Sequence, residues 1–368
     1  MIKPSAPDAP RAPTSPVQGE CPARALQKSC RAGRSLRSPA RRSRAAQGVT
    51  LLAMAVLLVL PWIEADKFVL HILSLMAIAS IVAMGLQVLL GCSGQLSIGQ
   101  AAFYGIGAYT SAFLTAKLGV PFPLALIGAG VAAAIASLLM VPITRLTGAY
   151  LAVATLGFSI IVYLFIKNEE WLTGGSYGFI GIPRAELFGY VLRDPRSSYY
   201  LNVGVAAIVY FVFARIEGSR FARAINAIRQ DADAARASGI RVTLLKSQCF
   251  VIAAFVAGLA GSLYAHEVRY LAPNDFTFWK SIEILIMVVI GGVGSLAGAI
   301  LGAAVVVGLP EYLRAIGDYR MLVFGAILIA TMLFGEGGLA ALVATLGRRL
   351  AVAMRLIPKL PASRKAAQ

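Results

Sequence analysis

The chain is built almost wholly from long uncharged apolar runs that follow one another with little between them, and this limits its fold more than any motif does. Such runs occur near 45–63, 68–90, 99–118, 121–143, 147–166, 198–214, 246–265, 281–309 and 319–335. Each has roughly the 17 to 25 residues that cross a hydrocarbon core as a helix. Mean hydropathy is +0.75 over 368 residues and only 14% of residues are charged, which excludes a soluble domain. No strand-like alternation of apolar and polar positions occurs, and a β-barrel is excluded with it. The expected fold is an all-α polytopic transmembrane helical bundle of about 8–10 membrane segments.

Charge sets the orientation. The net charge is +17, but it is concentrated: residues 1–47 carry +8, 215–246 carry +4 and 343–368 carry +6, so the remainder carries −1. Positive segments stay on the cytoplasmic side of a membrane, which places both termini and the 215–246 loop inside and argues against nucleic-acid binding. Residues 1–44 are rich in Pro, Ser, Ala and Arg, and read as a disordered basic tail rather than a transit peptide. Residues 45–340 form the transmembrane domain and 341–368 a basic cytoplasmic tail. Cys21 and Cys30 lie in the N-terminal tail and Cys92 and Cys249 in or beside spans, without metal or redox spacing.

Parity adds a constraint. Six crossings return the chain to the cytoplasm at 215–246, and the seventh, 246–265, leads out. One crossing by 281–309 and another by 319–335 would leave the basic C-terminal tail outside. The 281–309 stretch must therefore contain a reversal. It is 29 residues, about 43 Å as one helix, and its centre reads GGVGSLAG from Gly291 to Gly298. Two short helices or a re-entrant pair are expected, with Gly294, Gly298 and Gly302 as a small-residue packing face; a long tilted helix with a glycine face is the alternative.

A second interruption follows the 68–90 run. GCSGQLSIGQ, 91–100, breaks helix continuity at Gly91, Gly94 and Gly99, and supplies uncharged donors and acceptors through Ser93, Gln95, Ser97 and Gln100. Facing lipid, such side chains would each cost a few kcal/mol unless paired, so they should face the protein interior. Broken helices of this kind line solute pathways. The pathway is expected to be bordered by Ser93, Gly94, Gln95, Ser97, Gln100 and Tyr104 from the first break and by Gly291, Gly292, Gly294 and Ser295 from the second. A glycine packing interface with polar contacts is the competing reading of the first break. Charged residues such as Lys117, Lys167, Glu169, Glu170, Glu267 and Glu283 fall at span ends, which disfavours an ion-coupled carrier.

One substantial helical pattern lies outside the membrane, over 219–240. Ser219 can cap its start and Gly239 its end. Phe221, Ile225, Ile228, Ala232 and Ala235 form one apolar stripe opposite Arg220, Arg223, Arg229, Asp233 and Arg236. Such a helix lies on the bilayer or docks in a partner's groove, and its two aspartates favour the protein groove.

The stretches 85–114, 172–183, 220–265 and 282–313 together resemble the branched-chain amino acid ABC transporter permeases, within them the LivM type, and the similarity spans roughly 50–340. The resemblance implies a bacterial inner-membrane permease subunit that works with a second permease of the LivH type, two cytoplasmic ATP-binding cassette subunits and a periplasmic solute-binding protein. It makes 219–239 a cytoplasmic coupling helix and puts Ile228, Arg229, Asp231, Ala235 and Gly239 on or beside the ATPase interface. The chain has no GxxxxGK[ST] stretch, so ATP belongs to the partners, no cofactor or metal is expected and the chain is not itself an enzyme. The substrate implied is a branched-chain amino acid, with urea or short amides next, and a stand-alone channel or ion-coupled carrier further behind. Three features depart from the family pattern: Tyr177 in the 172–183 turn, the missing proline turn in 332–339, and the basic N-terminal tail.

Overall fold

The computed structural model describes residues 66–146, 148–187 and 189–312, with the isolated positions 323, 325, 326, 329, 338 and 339. The expected tails at 1–44 and 341–368, the 45–63 span, and nearly all of the 319–335 span and the 332–339 turn lie outside the described residues, as do Cys21 and Cys30.

Eleven helices are described among these residues: α1 (Lys67–Gln87), α2 (Gln100–Ala116), α3 (Phe122–Leu138), α4 (Ala149–Asn168), α5 (Glu170–Thr173), α6 (Pro195–Glu217), α7 (Arg220–Gln230), α8 (Ala232–Ala237), α9 (Val242–Val268), α10 (Phe278–Gly291) and α11 (Leu296–Tyr312). Four are long and apolar enough to cross a membrane: α1 with its π-helical extension to Cys92, α4, α6 and α9. α3 and α11 are shorter apolar helices of 17 residues, about 25 Å long at 1.5 Å per residue. The chain is thus an all-α, multi-pass membrane bundle with interrupted helices at both expected places.

The packing inverts that of a soluble helix. On α3, after Phe122 at its start, the buried positions are Ala125, Ala129, Gly130, Ala133 and Ser137, while Leu124, Ile127, Val131, Ile135 and Leu138 are exposed. Small residues inside and large apolar residues outside are what a lipid-facing helix needs, because lipid gives no hydrophobic reward for burying leucine and close backbone approach supplies the attraction instead. α9 runs through the middle of this arrangement. A Cβ on its Gly258 would stand 2.6 Å from the Ala129 carbonyl of α3. A Cβ on Gly107 of α2 would overlap the Gly258 backbone from the other side.

Two two-stranded antiparallel ribbons lie in the connections. β1 (Phe179–Ile180) pairs with β4 (Tyr270–Leu271) in the register Phe179 to Leu271, and β2 (Glu186–Leu187) pairs with β3 (Tyr190–Val191). The first ties the 172–183 turn to the segment after α9, and Tyr270 Oη donates to the Tyr177 carbonyl at 3.2 Å. Tyr177 itself is 83% exposed, so the family departure at this position sits on the surface.

Candidate functional site

The first break starts within α1. Its last turn widens into a π-helix, Val88–Cys92, and Gly94 then takes φ +68°, a left-handed backbone that glycine adopts without strain. The chain runs non-helically to Gly99 before α2 begins. Freed backbone groups inside a bundle need partners, and here side chains supply them. Ser93 Oγ donates to the Leu89 carbonyl at 2.6 Å, Ile98 N to Thr155 Oγ1 at 3.0 Å and Ala101 N to Ser281 Oγ at 3.0 Å. Thr155 belongs to α4 and Ser281 to α10, so three elements hold the segment open.

The second break is the turn of a helical hairpin. α10 and α11 run antiparallel: a Cβ on Gly291 would overlap the Gly298 carbonyl, and one on Gly302 the Met287 carbonyl. Gly298 and Gly302 are therefore two of the three glycines expected on the packing face, with α10 as the neighbour; the third, Gly294, lies in the turn and not on that face. Between the helices Gly292 and Gly294 have φ of +107° and +96°, and Gly294 reaches the surface with Val293. This is the reversal that parity requires in 281–309.

The two breaks meet. With its carboxamide oxygen facing α11, Gln87 of α1 accepts from Ser295 N at 2.6 Å and from Gly294 N, the two backbone donors that lead into that helix. A Cβ on Gly91 would stand 3.0 Å from Gly294 N. Arg229, in the last turn of α7, donates from Nη1 to the Gly91 carbonyl. The C-terminal end of one broken helix thus adjoins the N-terminal end of another, with opposite partial charges facing each other.

The structure sorts the expected site residues. Ser93, Gln95, Ser97 and Gln100 are all buried and face the interior, as their polarity demands. Gln95 Nε2, Gln100 Oε1 and the nearby Ser159 Oγ have no hydrogen-bond partner. Tyr104 is buried with its ring 5.5 Å from Tyr264 and 5.6 Å from Phe276, a packing position. Gly94 and Gly294 are exposed at the α7 end of the bundle. Gln87, Thr155 and Ser281 complete the junction and escaped sequence reasoning; for Gln87 and Thr155 the available signal was a polar residue in an apolar run, whereas Ser281 stands between Lys280 and Glu283.

The expected single helix over 219–239 is two helices with a corner at Asp231, whose Oδ1 caps α8 by accepting from Asp233 N at 2.9 Å and Ala234 N at 3.0 Å. The backbone N–H groups of Ala234 and Asp233 hold this exposed carboxyl below the usual carboxylate range. The apolar stripe is covered by the chain itself. Ile225 joins the main core, while Ile228 and Ala235 cluster with Val242. Ile228 and Ala235 therefore brace the pair from within, Arg229 points into the junction, and Asp231 and Gly239 remain on the outer surface.

The opposite end carries the other charges. Glu267, at the end of α9, accepts from Asn202 Nδ2 at 3.0 Å and pairs with His71 Nδ1 at 3.0 Å. His266 bonds Ser111 Oγ at 3.1 Å and the Pro183 carbonyl at 2.9 Å. Lys117 donates to the Trp171 carbonyl and lies 5.2 Å from the Trp171 ring. These groups sit at helix ends and not at mid-span. A shallow cavity of about 190 Å³ opens beside Lys117, Glu170 and Phe179, away from the two breaks.

The site is therefore a multi-pass helical bundle with two interrupted helices that meet and a surface helix pair bonded to the place where they meet. Comparison with known proteins gives its class. Residues 68–332 match the family described as branched-chain amino acid transport system, permease component, and the chain belongs to that family of ABC transporter permeases. It is 34% identical over 317 residues to the high-affinity branched-chain amino acid transport system permease protein LivM of Salmonella typhimurium, covering 80% of this chain and 75% of that protein. The Escherichia coli K12 protein of the same name matches equally. The permease protein LivH of Escherichia coli K12 is 25% identical over 286 residues, 71% of this chain and 90% of that protein. No solved structure matches. The general role is that of the membrane component of an importer for amino acid-like solutes.

Proposed function

We propose that this chain is the LivM-type permease subunit of a bacterial inner-membrane importer for branched-chain amino acids. Its higher identity to the LivM proteins of Salmonella typhimurium and Escherichia coli than to LivH supports the subunit type, and the branched-chain amino acid transport named for both kinds of relative supports the substrate. The pathway runs between this chain and a LivH-type permease, and the 91–100 and 291–295 breaks border it. A periplasmic solute-binding protein delivers the solute, and two cytoplasmic ATPases drive the cycle through the 219–239 helix pair, which they touch at the exposed Asp231 corner and the Gly239 end. Both termini are then cytoplasmic. The observation that carries this reading is the junction itself: the surface helix pair is hydrogen-bonded to the point where the two broken helices meet.

Weak contacts inside the membrane suffice in such a machine, because the binding protein supplies the affinity and ATP binding supplies the conformational work. The test is reconstitution of this chain with its neighbouring permease, ATPase and binding-protein subunits in liposomes, measuring labelled leucine, isoleucine and valine uptake with and without ATP. Uptake that needs ATP and every subunit is expected. Accumulation by this chain alone, or preferential uptake of urea or acetamide, would overturn the driving mechanism or the substrate respectively.

A further inference from the structure

We infer that Arg229 is the positioning residue that carries movement of the α7–α8 pair into both helix breaks. This rests on the proposal that the pair is the contact with the ATPases.

Arg229 differs from Arg223 and Arg236 of the same loop. Arg223 Nη1 donates to the Gly218 carbonyl at 3.3 Å and Arg236 Nη1 pairs with Asp233 at 2.6 Å, so both end on the loop itself. Arg229 crosses to the bundle. Its guanidinium donates to the Gly91 carbonyl, which lies in the last turn of the π-extended α1, where carbonyls have no partner within the helix. A positive donor suits that position twice, as a cap and as the counter-charge to a helix C-terminus. The stem of Arg229 rests over Gly94, where a Cβ would stand 3.4 Å from its Cγ, and Nη1 is 3.9 Å from the place of a Cβ on Gly294. One side chain therefore abuts both breaks. Glycine at 94 and 294 allows the positive φ that both turns adopt.

The lever behind this contact is stiff. Ala222, Ile225 and Ile228 are buried on the inner face of α7, so the backbone at Arg229 moves with the helix, and its exposed side chain is tied to the bundle by the bond to Gly91. While the guanidinium holds the Gly91 carbonyl, a shift of α7 draws the end of α1 with it. The same shift strains the Gln87 bridge to Ser295, because Gln87 lies one turn before Gly91 on α1. Movement of the surface pair and parting of the breaks are then one event.

The experiment uses the assembled transporter in liposomes with Arg229→Ala and Arg229→Lys, and records three quantities: co-purification of the ATPases, solute imported per ATP hydrolysed, and hydrogen exchange at 91–97 and 292–295. For Arg229→Ala we expect retained assembly, a loss of about tenfold or more in solute imported per ATP, on the scale of one charge-assisted hydrogen bond, and faster exchange at both breaks. Arg229→Lys should recover part of each, since an ammonium reaches one carbonyl but lacks the guanidinium fork. Unchanged exchange and unchanged import per ATP would overturn the inference. So would loss of ATPase binding with exchange unchanged, which would make Arg229 a plain interface residue. If the wild-type chain does not bind the ATPases, the importer reading fails and the coupling role with it; exchange in the chain alone then reports only the local contact.

Discussion

Gln95 and Gln100 show how a single polar side chain reveals its use. Each is buried with one amide atom unpaired, and an unpaired buried donor or acceptor costs about 1–3 kcal/mol. A residue kept only for packing would be better replaced by leucine. Gln95→Leu and Gln100→Leu are therefore expected to leave membrane insertion and thermal stability of the complex unchanged or slightly raised, while uptake falls severalfold. A lowered melting temperature with normal uptake would assign both residues to packing. The 93–100 residues were legible in the sequence because several polar side chains stand together between apolar runs. Thr155 was not, because a lone hydroxyl in an apolar helix ordinarily bonds its own preceding turn, and Ser281 was not, because it lies among the charged residues of a span end, Lys280 and Glu283. Thr155 does this with the Ala152 carbonyl at 2.9 Å while also accepting from Ile98 N. Its second bond depends on where α4 lies in space, which no local pattern encodes.

Two elements carry predictions of their own. In the α10–α11 hairpin, Gly302 lies against the Met287 carbonyl, and a side chain there must push the helices apart. Gly302→Val is expected to destabilise the bundle by about 1–3 kcal/mol or more, the scale of overpacking, seen as a lower melting temperature in detergent; Gly157→Ala, at a position facing open space, should leave it unchanged. In the α7–α8 pair the corner residue Asp231 has its folded pKa depressed by the amides it caps. Its contribution is present above the unfolded value, ordinarily near 4, and is lost as pH falls through the lower folded one, so the corner should be insensitive to pH across the physiological range. Asp231→Ala should speed trypsin cleavage after Arg236 at pH 7, whereas Asp231→Asn keeps an acceptor and should not; equal cleavage of all three proteins would rule out the cap. The corner was hidden in the sequence because the apolar stripe continues in register from Ile228 to Ala232 and Ala235, across the very residue that breaks the helix. The hairpin was visible because charge parity demanded a reversal that only the glycines of 291–298 could supply.

At the scale of the whole molecule, the bundle has two chemically different ends, and topology follows from which end faces the cytoplasm. The Arg229 junction, Asp231 and Gly239 mark one end; the Glu267–His71 pair, the Lys117–Trp171 contact and the exposed Tyr177 turn mark the other. The antiparallel course of α10 and α11 supplies the reversal that the charge pattern of the sequence calls for. The proposed orientation is therefore open to a direct measurement. In a background with Cys21, Cys30, Cys92 and Cys249 replaced by serine or alanine, Tyr177→Cys should react with a membrane-impermeant maleimide added outside spheroplasts. Ser238→Cys, exposed beside the Gly239 end of α8, should react only after the membrane is opened. Labelling of both positions from outside would place the helix pair where no cytoplasmic ATPase could reach it. The importer mechanism would then lose its drive, because the described spans hold their carboxylates at the ends and offer no mid-membrane acid through which an ion gradient could act instead.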